Sequence, residues 1–211
     1  MNNCFDIELV LSKLREKRKL FVSEKDLQLE MAWIIKEEYP KSKVRLEYCP
    51  SFDPNMHIDI LVIINNKWIP IELKYKTRKC KIKVDGEEFN LKNHGAKDIN
   101  CYAYLKDIQR IEKVRNSVSN FIMGYTVFIT NDLTYTKSPI KENCIYKAFS
   151  IHEGVIKKGK MCWTKGASEG TKKGCEDPIT LEDSYKMNWS DYSTIDNTNT
   201  GNFVYLINKI K

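Results

Sequence analysis

Apolar residues recur at helical spacing twice near the start of the chain. From Phe5 to Lys19, residues Ile7, Val10, Leu11 and Leu14 fall on one stripe, which predicts an amphipathic helix. After Ser23, a cap with acids in the following turn, Leu27, Met31, Ile34 and Ile35 form a second stripe that stops before Pro40; this predicts a second helix. The period then shortens to two. Ser42 to Tyr48 predicts a short strand, and Cys49 to Met56 a Pro-containing loop. Ile58 to Ile64 predicts a buried strand, and Trp68 to Tyr75 a strand whose Pro70 marks an edge or an irregularity. Lys81 to Val84 and Glu87 to Leu91 flank Asp85-Gly86 and predict a protruding hairpin. Ala96 to Val118 returns to helical spacing, with Tyr104, Leu105, Ile108 and Ile111 facing a core. Phe121 to Thr130 is apolar enough for a central strand.

From Ser138 onward the chain is more polar and is punctuated by Gly154, Gly159, Gly166, Gly170 and Gly174. Trp163, Tyr185, Trp189 and Tyr192 suit a satellite core better than base stacking. Gly170 to Gly174 lacks P-loop spacing, and no helix pattern follows it. Phe203 to Ile207 predicts a terminal strand. The expected organisation is a single domain over 1–211, with a core at about 23–130 and an irregular, β-rich C-terminal elaboration at about 138–211.

The two strands around Asn65-Asn66 carry the candidate chemistry. Asn tolerates positive φ, so the pair suits a two-residue turn. Ile64 then pairs with Lys67, and counting back sets Asp59 opposite Glu72. Directly opposed residues share a face, with Cβ atoms roughly 5 Å apart. Lys74 lies on that face one repeat further on. Two carboxylates that close repel unless a cation sits between them, and a hard ion such as Mg²⁺ takes such oxygens. A three-residue turn would send Asp59 to the other face. In a chain that is 30% charged, Glu-x-Lys also arises on ordinary wet sheet faces; the distinguishing residue is Asp59, an acid inside an apolar strand.

Asp59, a hairpin, then Glu72-Leu73-Lys74 resembles the core motif of the PD-(D/E)XK nuclease superfamily, over residues 23–130. Ile58 stands where many members carry Pro. The resemblance implies an α/β, restriction-endonuclease-like mixed β-sheet core flanked by helices. It implies a Mg²⁺- or Mn²⁺-dependent nuclease, with Asp59 and Glu72 as metal ligands and Lys74 as a third catalytic residue. Glu30, on the border of the second helix's apolar stripe, resembles the acid that the preceding helix supplies in this superfamily; as a boundary residue it would instead keep its head in water. The polar residues of the long helix are Asp98, Asp107, Gln109 and Arg110. In such nucleases Gln109 or Arg110 is placed to reach a phosphate, while a solvated face accounts for most of the four. Thr130-Asn131-Asp132, His152-Glu153-Gly154, Trp163 and Tyr192-Ser193 further resemble a bacterial protein family with no assigned activity.

Charge extends this picture. Lys+Arg exceed Asp+Glu by 35 − 28 = 7, and a pI near 8.9 suits an anionic partner. Lys74, Lys76, Arg78, Lys79, Lys81 and Lys83 lead straight out of the candidate site, so Lys76, Arg78, Lys79 and Arg110 are the expected nucleic-acid contacts, DNA being the expected partner. The run from Lys13 to Lys19 reads as solvated surface, and His94 as an exposed loop residue. Seven scattered cysteines without Cys-x-x-Cys read as reduced thiols, and three histidines make zinc an unsuitable metal. No apolar run reaches membrane-spanning length and no signal pattern opens the chain, so a cytoplasmic protein without membrane contact is expected. A homodimer would suit double-strand cleavage. The alternative function is a non-catalytic nucleic-acid-binding or interaction module on the same fold. Gly-x-Ser-x-Gly and Gly-x-Gly-x-x-Gly are both absent, which argues against hydrolase triads and dinucleotide chemistry.

Overall fold

The computed structural model describes residues 4–140 and 144–211. It is a mixed α/β structure built on one six-stranded sheet. The helices α1 (Ile7–Lys17) and α2 (Glu24–Glu38) come first, each opened by a side-chain cap: Asp6 accepts from the Glu8 N–H and Ser23 from the Asp26 N–H. Strands β1 (Lys43–Tyr48), β2 (Ile58–Ile64) and β3 (Lys67–Lys76) follow as an antiparallel meander. The hairpin β4 (Cys80–Val84) and β5 (Glu87–Leu91) stands outside the main sheet, turning at Asp85 (φ 51°) and Gly86 (φ 89°). Helix α3 (Lys97–Ser117) then crosses to β6 (Gly124–Thr130), which pairs parallel with β3.

Beyond residue 138 come β7 (Ile156–Met161), the single turn α4 (Glu169–Lys172), β8 (Ile179–Lys186), β9 (Trp189–Thr194) and β10 (Asn202–Ile210). The main sheet runs β1-β2-β3-β6-β10-β9, and β7 and β8 form a separate pair. The C-terminal stretch is therefore no elaboration laid on a finished core: β10 pairs with β6 from Gly124 to Thr130 and supplies the sheet with a fifth neighbour, β9 with a sixth. The polar, glycine-punctuated sequence hides this, because β9 is an edge strand with half of its positions exposed. The loop Gly170 to Gly174 carries the single turn α4, and the element that follows it is the strand β8.

The sheet has two covered faces. On one, α1 and α2 pack Val10, Leu14, Leu27, Met31 and Ile35 against Ile60, Val62, Ile71, Leu73 and Val127. On the other, α3 is sandwiched between the sheet (Phe128, Leu206, Ile210) and the β7–β8 pair (Met161, Ile179, Leu181, Tyr185). Trp163 and Trp189 join this second cluster with Tyr185, whereas Tyr192 belongs to the first. Each apolar group of this size withdrawn from water contributes about 1.5–3 kcal/mol. Together the two faces account for the burial of every β6 position from Gly124 to Thr130.

Polar bonds fix α3 over the sheet. Thr126 Oγ1 donates to Tyr104 Oη, which donates to Asn208 Oδ1, at 3.0 and 2.9 Å. At the other end, buried Glu112 accepts from the Glu182 and Asp183 N–H groups and from Tyr185 Oη, at 2.8–3.1 Å. Asp107 and Arg110 lie between these two anchors.

Candidate active site

Asn65 (φ 51°) and Asn66 (φ 62°) both occupy the left-handed region, as a type I′ turn demands. The register is the expected one from Ile64 opposite Lys67 to Ile60 opposite Ile71, but the ladder ends there, so Asp59 and Glu72, expected to face each other directly, are not a ladder pair. Pro70 falls in a gap in the β3–β6 pairing, between the Trp68–Phe121 bridge and the Ile71–Tyr125 pair, so its missing N–H leaves no ladder bond unmade.

Beyond Ile60–Ile71 the two strands part, and acids take over the exposed edge of β3. Asp59 Oδ2 accepts from the Leu73 N–H at 2.7 Å. Two residues on, Glu24 Oε2 accepts from the Tyr75 N–H at 2.8 Å and from Lys76 Nζ at 3.0 Å. Residues 73 and 75 point their N–H groups to the same edge, as strand alternation requires. The carboxylates thus replace the missing partner strand.

Glu72 and Lys74 alternate with Leu73 and project under α3. Arg110 Nη2 lies 3.1 Å from Glu72 Oε1, and Arg110 Nη1 lies 3.4 Å from Asp107 Oδ1. Lys74 Nζ lies 2.5 Å from Asp107 Oδ2. That contact partners Asp107 Oδ2 as an ion pair although its angle is not that of a hydrogen bond. Glu72 Oε2 has neither kind of partner and is buried. A carboxylate oxygen in that state is costly unless a proton or a cation joins it.

The electrostatics follow from burial and crowding. Burial, then the charges of Asp107 and Asp59, pushes the Glu72 carboxyl well above its ordinary range, with Arg110 and Lys74 opposing. Burial also raises Asp59, against the Leu73 N–H and Lys74, and raises Asp107, against Lys74 and Arg110. Burial alone would lower Lys74, but Asp107 and Glu24 outweigh it, so Lys74 stays an ammonium throughout the physiological range.

Asp59, Glu72 and Lys74 are therefore brought together. Glu30 is not: it lies 3.8 Å from Arg18. The end of α2 that reaches β3 is its N-terminus, so the acid this helix brings to β3 is Glu24 and not Glu30. In the sequence Glu24 is only one of the acids in the turn after Ser23. Asp107, one of the four polar residues of α3 for which a solvated face is mostly expected, is buried. The signal was present, since Asp107 is three residues from Tyr104 and four from Ile111, within the apolar stripe. Of the expected nucleic-acid contacts, Lys76 is turned back onto Glu24, Arg78 and Lys79 are exposed, and Arg110 is in the site. His94 is a local brace, its Nδ1 accepting from the Thr77 N–H at 3.0 Å.

Among the described residues, no three Asp, Glu, His or Cys side chains close around a common metal position. The donor set still suits a hard dication that keeps water and phosphate ligands, for which one or two carboxylates are enough: Glu72 Oε2 is unpartnered, and one oxygen of Asp59 accepts no hydrogen bond. A cleft of about 600 Å³ adjoins the acids at Arg110, lined also by Asp53, Lys106, Gln109, Lys113 and Thr180. Among the described residues, no helix is long and apolar enough to cross a membrane. No family model, curated protein or solved structure matches this chain.

Proposed function

We propose that the chain is a divalent-cation-dependent nuclease, with a restriction-endonuclease-like core, that hydrolyses phosphodiester bonds of DNA. The observation that carries this reading is the buried, unpartnered Glu72 Oε2 in a group of three acids with Lys74 beside them. Asp59 and Glu72 would hold Mg²⁺ or Mn²⁺. Such an ion supplies a water of lowered pKa and offsets charge on the scissile phosphate. Lys74, held charged by Asp107, stabilises negative charge on the attacked phosphate rather than acting as a base. Asp107 orients Lys74. Glu24 and Asp59 fix the edge of β3 from which Glu72 and Lys74 project.

The test is nicking of supercoiled plasmid with Mg²⁺ or Mn²⁺. Glu72→Ala and Lys74→Ala are each expected to lower the rate by about a hundredfold or more. Full cleavage by both variants would overturn the assignment. A second reading, a binding module without turnover, draws on the ion pairs that already neutralise the acids in part. It predicts steeply salt-dependent binding of DNA with no metal-dependent product.

A further inference from the structure

Arg110 is the one side-chain cation within ion-pair distance of Glu72 among the described residues. Lys74 is engaged by Asp107. The Arg110 guanidinium also donates to the His57 carbonyl, at the mouth of β2. Its side chain is 27% exposed where that of Glu72 is 1% exposed, so it spans from the buried acid to open space. That open space is the α3 cleft, where Lys106 and Lys113 flank Arg110 at helical spacing, Lys113 paired with Asp53 at 2.7 Å and Glu112 and Glu182 also in the lining.

Charge balance makes this arrangement conditional. With all three carboxyls ionised, as a bound metal requires, Asp59, Glu72 and Asp107 against Lys74 and Arg110 leave one net negative charge. A dication added to the group would leave one net positive charge, with Arg110 beside an ion of like sign in a poorly solvated site. Moving Arg110 into the cleft restores neutrality and leaves a planar, five-donor cation facing solvent. That geometry matches a phosphodiester.

We propose that Arg110 is an exchangeable counter-ion: it occupies Glu72 in the metal-free chain, yields it to a divalent cation, and then binds a phosphodiester of the nucleic acid lying in the α3 cleft. The inference rests on the nuclease reading and names the cleft as the place of the substrate strand. Metal and nucleic acid then bind cooperatively, each tightening the other by the same factor.

The experiment is Mn²⁺ titration by calorimetry of the wild-type chain and of Arg110→Gln and Arg110→Lys, with and without a short phosphorothioate DNA oligonucleotide. Without DNA, Arg110→Gln is expected to bind Mn²⁺ about tenfold tighter than wild type, since a competing cation has been removed. Arg110→Lys, which keeps the charge, stays near wild type. DNA tightens Mn²⁺ binding to wild type by a larger factor than to Arg110→Gln, which keeps only the direct contact of phosphate with the ion. If wild type binds Mn²⁺ and Arg110→Gln binds it no tighter, the counter-ion proposal falls and the nuclease reading stands. If wild type binds no Mn²⁺ with or without DNA, the nuclease reading falls, and the proposal with it. Thermal melts of both variants in EDTA establish that each is folded.

Discussion

Glu72 stores free energy that folding alone would not retain. Its carboxyl is raised well above the ordinary value of 4.5 by burial and by two neighbouring acids. A raised folded-state pKa contributes stability below the unfolded value and loses it as pH rises through the folded one. The metal-free protein is therefore expected to lose stability from mildly acidic to neutral pH on account of this group. Glu72→Gln keeps an acceptor for Arg110 and abolishes the charge. It should raise Tm at neutral pH in EDTA by about 2–4 °C for each kcal/mol relieved, flatten the fall with pH, and remove cleavage. A variant less stable than wild type at neutral pH would show that the Arg110 pair outweighs the burial cost. The same trade between stability and activity is common where charged groups are crowded for function. Asp59 and Asp107 share the sign, so adding Mn²⁺ to wild type should release protons as it stabilises.

At the scale of elements, the site depends on α3 and β6 approaching β3 closely. A Cβ on Gly124, the first residue of β6, would sit 2.4 Å from Ile111 Cγ2 and 3.2 Å from both Pro70 Cγ and the Pro70 carbonyl oxygen. Ile111 follows Arg110 directly, so whatever displaces it also displaces the guanidinium. Gly124→Ala should cost about 1–3 kcal/mol, seen as a lower denaturation midpoint with an unchanged m-value. It should also weaken Mn²⁺–DNA coupling, which a mere loss of stability would leave intact at low temperature. The contrast between β3 and α3 explains what was legible in the sequence. The Asn65-Asn66 turn fixes register locally, and period-two parity carries Asp59, Glu72 and Lys74 to one face with no knowledge of the rest of the fold. The burial of Asp107 arises only when α3 is laid on the sheet and its far side is covered by β8. The role of Glu24 depends on where β2 leaves β3. Both are tertiary events, and neither alters the local pattern. Glu30 is the wrong acid because helical spacing reveals which side of α2 is buried, but not which end approaches β3.

At the scale of the whole molecule, the long polar stretch after residue 138 is what encloses α3. β10 covers the entire outer edge of β6 and lays Leu206 and Ile210 under α3, and the far side of α3 packs on Ile179, Leu181 and Tyr185. The motif-bearing segment lies wholly before residue 138, which invites the view that it folds alone. The layers argue otherwise. Without β10 the fully buried β6 becomes an open, apolar edge, which is a template for aggregation rather than a stable boundary. Glu112 would lose its three donors and become a buried charge with none, a loss of several kcal/mol. Tyr104 would lose Asn208 as acceptor. These anchors hold the helix that carries Asp107 and Arg110, so the acids and the C-terminal strands belong to one cooperative unit. A fragment ending at Lys137 is expected to show no cooperative thermal transition by circular dichroism and to aggregate near neutral pH. A sharp transition in that fragment, with Mn²⁺ binding retained, would mean that β3, β6 and α3 organise the site unaided. The intact chain should instead melt in one step, with Mn²⁺ raising its midpoint, because ligation at Asp59 and Glu72 stabilises every layer joined to them.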